Sequence, residues 1–272
     1  MDVSRPHAAP RSSRLARGSL VEGVHGMIVL HELSKEWNGH QVLDALSLTI
    51  FAAEKVALLG RRGSGKSTLM QILCGYLRPS TGSVQIGTYD LGHQSSQARR
   101  LIGYIPTHPP LYPELSVSEY LRLCAALRGA RPADKVAHAA LEACDLASFR
   151  HDIIRNLSRG VQQRINFAQA LLHDPAFLLI DDPFVDLDPA ERDSLLNILL
   201  GFGPQKTMLL ATHSLELLAR LCNRTIILHQ GRVSFDGELK ELKRFHQLEA
   251  AFLHYTPEEE ALRERNDGPL EA

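Results

Sequence analysis

The residues whose types and spacing most clearly specify chemistry are Gly60-Arg61-Arg62-Gly63-Ser64-Gly65-Lys66-Ser67-Thr68. They complete the pattern G-x-x-x-x-G-K-[ST] between an apolar run, Val56-Ala57-Leu58-Leu59, and a helix-like segment, Leu69-Met70-Gln71-Ile72-Leu73. In a strand–loop–helix setting the glycines let backbone N–H groups turn inward as an anion nest. The helix starting near Lys66 adds the positive end of its dipole. Lys66 is then placed to reach the β- and γ-phosphates of a nucleotide, and the Ser67 hydroxyl to ligate Mg²⁺. A glycine-rich turn before a chance lysine would read the same, but the flanking strand and helix favour a phosphate cradle.

A second centre lies at Phe177-Leu178-Leu179-Ile180-Asp181-Asp182. A fully apolar strand suits the middle of a parallel sheet, and ligands sit at the C-terminal ends of such strands. One carboxylate there can hold Mg²⁺ and the next can orient or deprotonate a water. Thr207-Met208-Leu209-Leu210-Ala211 is a similar strand, ending at Thr212-His213-Ser214. A lone histidine is more often structural, but His213 at that edge could contact a γ-phosphate. Ser158 has the position of an N-cap for a helix running to about His173. It is either a plain cap or, with the first-turn N–H groups, one side of an anion site. Trp37, the single tryptophan, precedes the turn signal Asn38-Gly39. It reads either as a half-buried strand aromatic or as a platform for an adenine ring.

These groups need a large α/β scaffold, and 272 residues with 44% hydrophobic and 22% charged side chains supply one. A net charge of −1 gives no general case for nucleic-acid binding. Cys74, Cys124, Cys144 and Cys222 form no C-x-x-C pair and read as buried thiols. No apolar run approaches the roughly 20 residues of a membrane span, so any membrane role requires another chain. Residues 1–26 carry Arg5, Arg11, Arg14 and Arg17 among Pro, Ser, Ala and Gly, and read as a disordered basic extension. Pro106-Thr107-His108-Pro109-Pro110-Leu111-Tyr112-Pro113 has four prolines in eight residues, so it is a stiff loop. Helical patterns over Val117–Leu127 and Ala133–Cys144, with the helix after Ser158, predict a small helical lobe at about residues 107–165.

Taken together, the motifs resemble those of the nucleotide-binding subunit of an ABC transporter, over about residues 27–255. Gly60 to Ser67 matches the Walker A loop and Leu178 to Asp182 Walker B. Leu157-Ser158-Arg159-Gly160-Val161-Gln162-Gln163-Arg164 looks like the signature, with a basic third position. Asp186-Leu187-Asp188 looks like the D-loop, His213 like the switch histidine and Trp37 like the adenine-stacking aromatic. The runs Leu33-Ser34-Lys35 and Leu248 to Leu253 look most like the ABC-2 type export group.

The resemblance implies an α/β fold: a P-loop NTPase core with a mainly parallel sheet, an N-terminal antiparallel β part and the helical lobe. It implies a cassette over 27–240 with a helical tail at 241–272. It further implies that two such subunits, identical or different, close head to tail around two ATP–Mg²⁺. Each ATP would lie between one chain's Gly60–Thr68 loop and the other's Ser158 and Gly160. The expected partner is an integral membrane permease, reached beside Pro106 to Tyr112. The expected location is peripheral, on the cytoplasmic face of the cell membrane, with no nucleic acid bound.

Two positions depart from the family pattern. Asp182 replaces the usual glutamate and is one methylene shorter, a setback of about 1–1.5 Å. Thr107 replaces a glutamine or glutamate that contacts the metal and the attacking water. The expectation is an ATPase of reduced rate, whose alternative is an ATP-gated dimerising module with vestigial hydrolysis. A soluble ABC protein acting on ribosomes or DNA is disfavoured, because one Walker A loop and no basic face are present.

Overall fold

Five apolar runs align as the floor of the site in the computed structural model, which describes residues 27–203, 205–212, 215–242 and 248–257. They are β3 (Lys55–Gly60), β6 (Ile102–Ile105), β7 (Phe177–Asp181), β8 (Thr207–Ala211) and β9 (Arg224–His229). With β10 (Arg232–Glu238) they form a six-stranded sheet in the order β10-β9-β3-β8-β7-β6. Every pairing is parallel except the β9–β10 hairpin. The near-continuous apolar sequences follow from burial on both faces. Val56 and Leu58 point into one core and Ala57 and Leu59 into the other, as the two-residue period requires.

The first core is closed by a four-stranded antiparallel sheet, ordered β2-β1-β4-β5, and by helix α1 (Lys66–Leu73). Its strands are β1 (Ile28–Trp37), β2 (His40–Ile50), β4 (Thr81–Ile86) and β5 (Tyr89–Asp90). The β1–β2 hairpin turns at Asn38 and Gly39, with φ of 47° and 81°, the conformation this dipeptide favours. Helix α2 (Ser95–Arg100) sends Ala98 into the same core.

The second core lies under α3 (Val117–Leu127), α4 (Ala133–Ala143), α5 (Arg159–Leu171), α6 (Pro189–Gly201) and α7 (Leu215–Leu221). Helix α3 begins in a complete Ser116/Glu119 capping box, and α4 and α5 pack against it as the expected helical lobe. The proline-rich loop is tied to that lobe, since Asn166 Nδ2 donates to the Pro106 carbonyl at 3.0 Å and Arg155 N to Pro113 O at 3.1 Å. Helices α8 (Leu239–Leu242) and α9 (Leu248–Tyr255) return the chain to this core through Leu239, Leu242 and Ala251. The expected extension at 1–26 lies outside the described residues, as do 243–247 and 258–272 of the tail.

Candidate active site

Parallel pairing brings the C-terminal ends of β3, β7 and β8 to one edge. Leu58 and Asp181 both register with Ala211, so the phosphate loop leaves the sheet beside the Walker B carboxylates. A cleft of about 380 Å³ opens there. It is lined by Val42, Arg62, Gly63, Gly65, Lys66, Ser67, Thr68, Thr107, Asp181, Asp182 and Ala211.

The loop is shaped by its glycines. A Cβ on Gly65 would stand 2.5 Å from Leu43 Cδ2 and 2.9 Å from the Val42 carbonyl, and φ there is +103°. A Cβ on Gly60 would stand 2.3 Å from Ser64 Oγ. The loop is therefore wrapped against β2 on one side and on itself on the other. Lys66 Nζ donates to the carbonyls of Gly60 at 2.6 Å and Arg61 at 3.0 Å, folded back across the mouth of its own loop. Burial lowers its pKa, while the nearby charges of Asp182 and Asp181 oppose that shift. Gly65 is the N-cap of α1 and itself offers the first-turn N–H groups no side-chain acceptor.

Ser64 and Arg61 stand behind the loop rather than in the cleft. Ser64 is buried, and its backbone carbonyl accepts from Gly231 N at 3.2 Å. Arg61 Nε donates to the carbonyl of Thr256, a fully buried residue just past α9, at 3.0 Å. The C-terminal helix thus reaches the phosphate loop, a contact across 195 residues that no local pattern announces.

At the opposite wall, Asp181 is 7% exposed at the end of β7. Asp182 turns into the left-handed region, with φ of 44°, while its N–H still donates to Ala211 O at 2.8 Å. Aspartate tolerates that conformation better than most residues. Thr107 lines the cleft, but its Oγ1 donates to the Asp181 carbonyl at 2.9 Å. Its short side chain is thus fastened to the wall of the cleft. The oxygen donors Ser67 Oγ and the Asp181 carboxylate suit a hard divalent cation such as Mg²⁺, and glycine at 60 and 65 lets the loop pack closely on Ser64 and β2 where a side chain would not fit.

The structure does not bring every expected residue to this cleft. Trp37 is half exposed, outside the cleft lining, and Lys35 Nζ lies 4.9 Å from its ring centroid. His213 falls outside the described residues. Ser158 and Gly160 sit at the start of α5, where the Ser158 hydroxyl accepts from Val161 N at 3.3 Å as a cap. The neighbouring Arg159 guanidinium meets His108 of the proline-rich loop. The residue missed from sequence is Glu191, in the first turn of α6. Its Oε1 accepts from Ser158 Oγ at 2.8 Å and from Gly160 N at 3.0 Å. The only signal for it was the D-P-x-E start of α6, which predicts a capping box and says nothing of α5.

Comparison with known proteins agrees with this geometry. The family model described as "ABC transporter" matches residues 43–185. An uncharacterized ABC transporter ATP-binding protein of Bacillus subtilis, YxlF, is 34% identical over 223 residues, covering 81% of this chain and 74% of the relative. The Nod factor export ATP-binding protein I of Cupriavidus metallidurans is 33% identical over 222 residues, covering 79% and 72%. Among solved structures, the ATP-binding subunit of an ABC transporter superposes with a TM-score of 0.75 at 30% identity, covering 84% of this chain and 99% of that one. A dimeric cassette, MJ0796, solved in a post-hydrolysis state with ADP and Pi, gives a TM-score of 0.70 at 27% identity, covering 78% and 98%.

Proposed function

The chain belongs to the family of ABC transporter ATP-binding proteins, and from that premise we propose how this ATPase works. Its cassette is residues 27–240, with the helical lobe at about 107–165 and a tail from 241. ATP lays its phosphates on the Gly60–Thr68 nest. Lys66 Nζ leaves the Gly60 and Arg61 carbonyls for the β- and γ-phosphate oxygens, a charge-assisted exchange. Gly60, Arg61, Arg62, Gly63, Ser64, Gly65 and Thr68 supply backbone donors or the walls that aim them. Ser67 and Asp181, with Thr107 beside them, would hold Mg²⁺, whose chemistry is to neutralise phosphate charge. Asp182 orients and deprotonates the attacking water, His213 contacts the γ-phosphate, and Trp37 stacks on the adenine.

Ser158 and Gly160 act in trans, on ATP held by a second copy or a related subunit. The dimeric ADP–Pi cassette among the structural relatives supports that reading. Closure and opening of the pair move a separate membrane-spanning permease at the cytoplasmic face, through the groove beside Pro106 to Tyr112. No helix among the described residues is long and apolar enough to cross a membrane itself. The Nod factor export relative and the ABC-2-like motifs favour export over import.

One observation carries the reading: a single cleft joins Lys66, Ser67, Asp181 and Asp182 at the strand edge. The test is ATP turnover and native mass with and without ATP, together with affinity purification from membranes. ATP-dependent dimers and co-purification of a bilayer-spanning chain are expected. A chain that binds ATP yet stays monomeric and captures no membrane protein would overturn the transport role.

A further inference from the structure

The Ser158–Gly160 turn is not waiting empty for a partner. Ser158 Oγ has one O–H to give and Gly160 one N–H. Both go to the same oxygen, Glu191 Oε1, at 2.8 and 3.0 Å. The fit is close: a Cβ on Gly160 would come within 2.4 Å of the Glu191 carboxyl carbon. Glycine at 160 therefore makes room for this carboxylate in the present state, and would make room for a phosphate in the closed one. The other oxygen, Oε2, stays on α6, where it accepts from Asp188 N at 3.3 Å, and Glu191 N donates to Asp188 Oδ1 at 2.8 Å. One side chain thus spans the first turns of two helices, α5 carrying the signature and α6 following the D-loop.

We infer that Glu191 is an intrachain stand-in for the partner's γ-phosphate, a latch that ATP-driven dimerisation must displace. This rests on the reading that Ser158 and Gly160 bind ATP across a dimer. The two occupants exclude each other on two counts. Each donor has a single hydrogen, and a carboxylate held against a γ-phosphate adds like-charge repulsion. Closing the dimer therefore includes breaking the Glu191 contacts, so the ATP concentration needed for closure is set partly by an internal competitor. The capping box on α6 survives the change, because Oε2 and the backbone keep their bonds to Asp188.

The test compares full-length Asp182→Asn, which slows loss of bound ATP, with Asp182→Asn/Glu191→Gln. Glutamine keeps the shape and the capping-box acceptor but removes the charge. Dimer fraction is followed by light scattering against ATP concentration, and monomer ATP affinity by anisotropy of a fluorescent ATP analogue at dilute protein. The inference expects Glu191→Gln to lower the ATP needed for half-dimerisation by about three- to tenfold, with monomer affinity unchanged. Glu191→Ala should shift it the same way despite a lower melting temperature from the lost cap. A purely structural Glu191 gives no gain, so an unchanged or higher requirement in Glu191→Gln overturns the latch alone. An Asp182→Asn chain that binds ATP but never dimerises overturns the two-chain reading and the latch with it.

Discussion

Two helices in this molecule begin at the places we propose for phosphate, and they are finished differently. Helix α1 starts at Gly65 with no side-chain cap, and the loop before it is glycine on every turn that crowds. Helix α5 starts at Ser158 with a side-chain cap, and Glu191 lies against its first turn. The same physics, unsatisfied N–H groups at the positive end of a dipole, gives an open seat in one case and an occupied one in the other. An open seat binds whatever fits it. An occupied seat binds only what can displace its occupant, which under the proposed latch makes the second site conditional on ATP being seated at the first.

The strongest way to break the comparison is at the open seat. Lys66→Ala should weaken ATP binding on the order of a hundredfold, because a charge-assisted contact to phosphate is worth about 1.5–3 kcal/mol and the proposed function gives this lysine two, to the β- and γ-phosphates. Titration of a fluorescent ATP analogue measures it. Near-normal affinity in Lys66→Ala would mean that ATP is seated elsewhere. Next in size is the catalytic wall. Asp182→Glu restores about 1–1.5 Å of reach, and a misplacement of about 1 Å can change rates on the order of 10²-fold. Steady-state phosphate release should therefore rise tenfold or more, with ATP affinity held. If turnover is unchanged while Lys66→Ala has lost ATP, the short carboxylate is not what limits the rate.

The open seat was legible from sequence and the occupied one was not, for a physical reason. The loop at 60–68 is a local object: its turns need glycine at particular φ, its strand is an apolar run, and its helix starts at once. The parallel strands β7 and β8 were legible in the same way, since burial on both faces writes itself as unbroken apolar sequence. The Ser158–Glu191 contact joins residues 33 apart and depends on how α5 and α6 pack. Ser158 alone reads either as a plain cap or as one side of an anion site. Helix α2 escaped notice because Ser95–Arg100 has no apolar period, with Ala98 its single buried residue. Trp37 read from sequence either as a half-buried strand aromatic or as a platform for adenine, and the sequence did not reveal that Lys35 would lie over the ring.

A smaller effect separates the two roles of Ser158. Ser158→Ala removes an N-cap, which costs about 1 kcal/mol and lowers the melting temperature by roughly 2–4 °C in a domain of this size. It leaves ATP affinity of the isolated chain unchanged, because Ser158 does not line the cleft of its own molecule. Loss of ATP affinity in the dilute monomer would place Ser158 in its own chain's site and erase the distinction between the two seats.

The smallest expected effect tests how the open seat is kept open. The Arg61 carbonyl accepts from Ser64 N at 3.1 Å and from Lys66 Nζ at 3.0 Å, so its peptide sits at the hinge of the loop. Its side chain reaches behind to the Thr256 carbonyl at 3.0 Å and more distantly to Thr256 Oγ1 at 3.4 Å. Thr256 is itself fixed by its hydroxyl, which donates to Phe252 O at 2.8 Å on α9. The helix therefore braces the loop through a backbone acceptor. Arg61→Ala should loosen that brace and weaken ATP binding about two- to threefold, in keeping with a neutral-acceptor hydrogen bond to a charged donor that is only partly buried. Thr256→Ala keeps the carbonyl and should have less effect on affinity than Arg61→Ala. The reverse order would show that the hydroxyl, and not the backbone, carries the contact. An Arg61→Ala chain with unaltered affinity would show that the loop holds its own shape, and that its openness is written in the glycines alone.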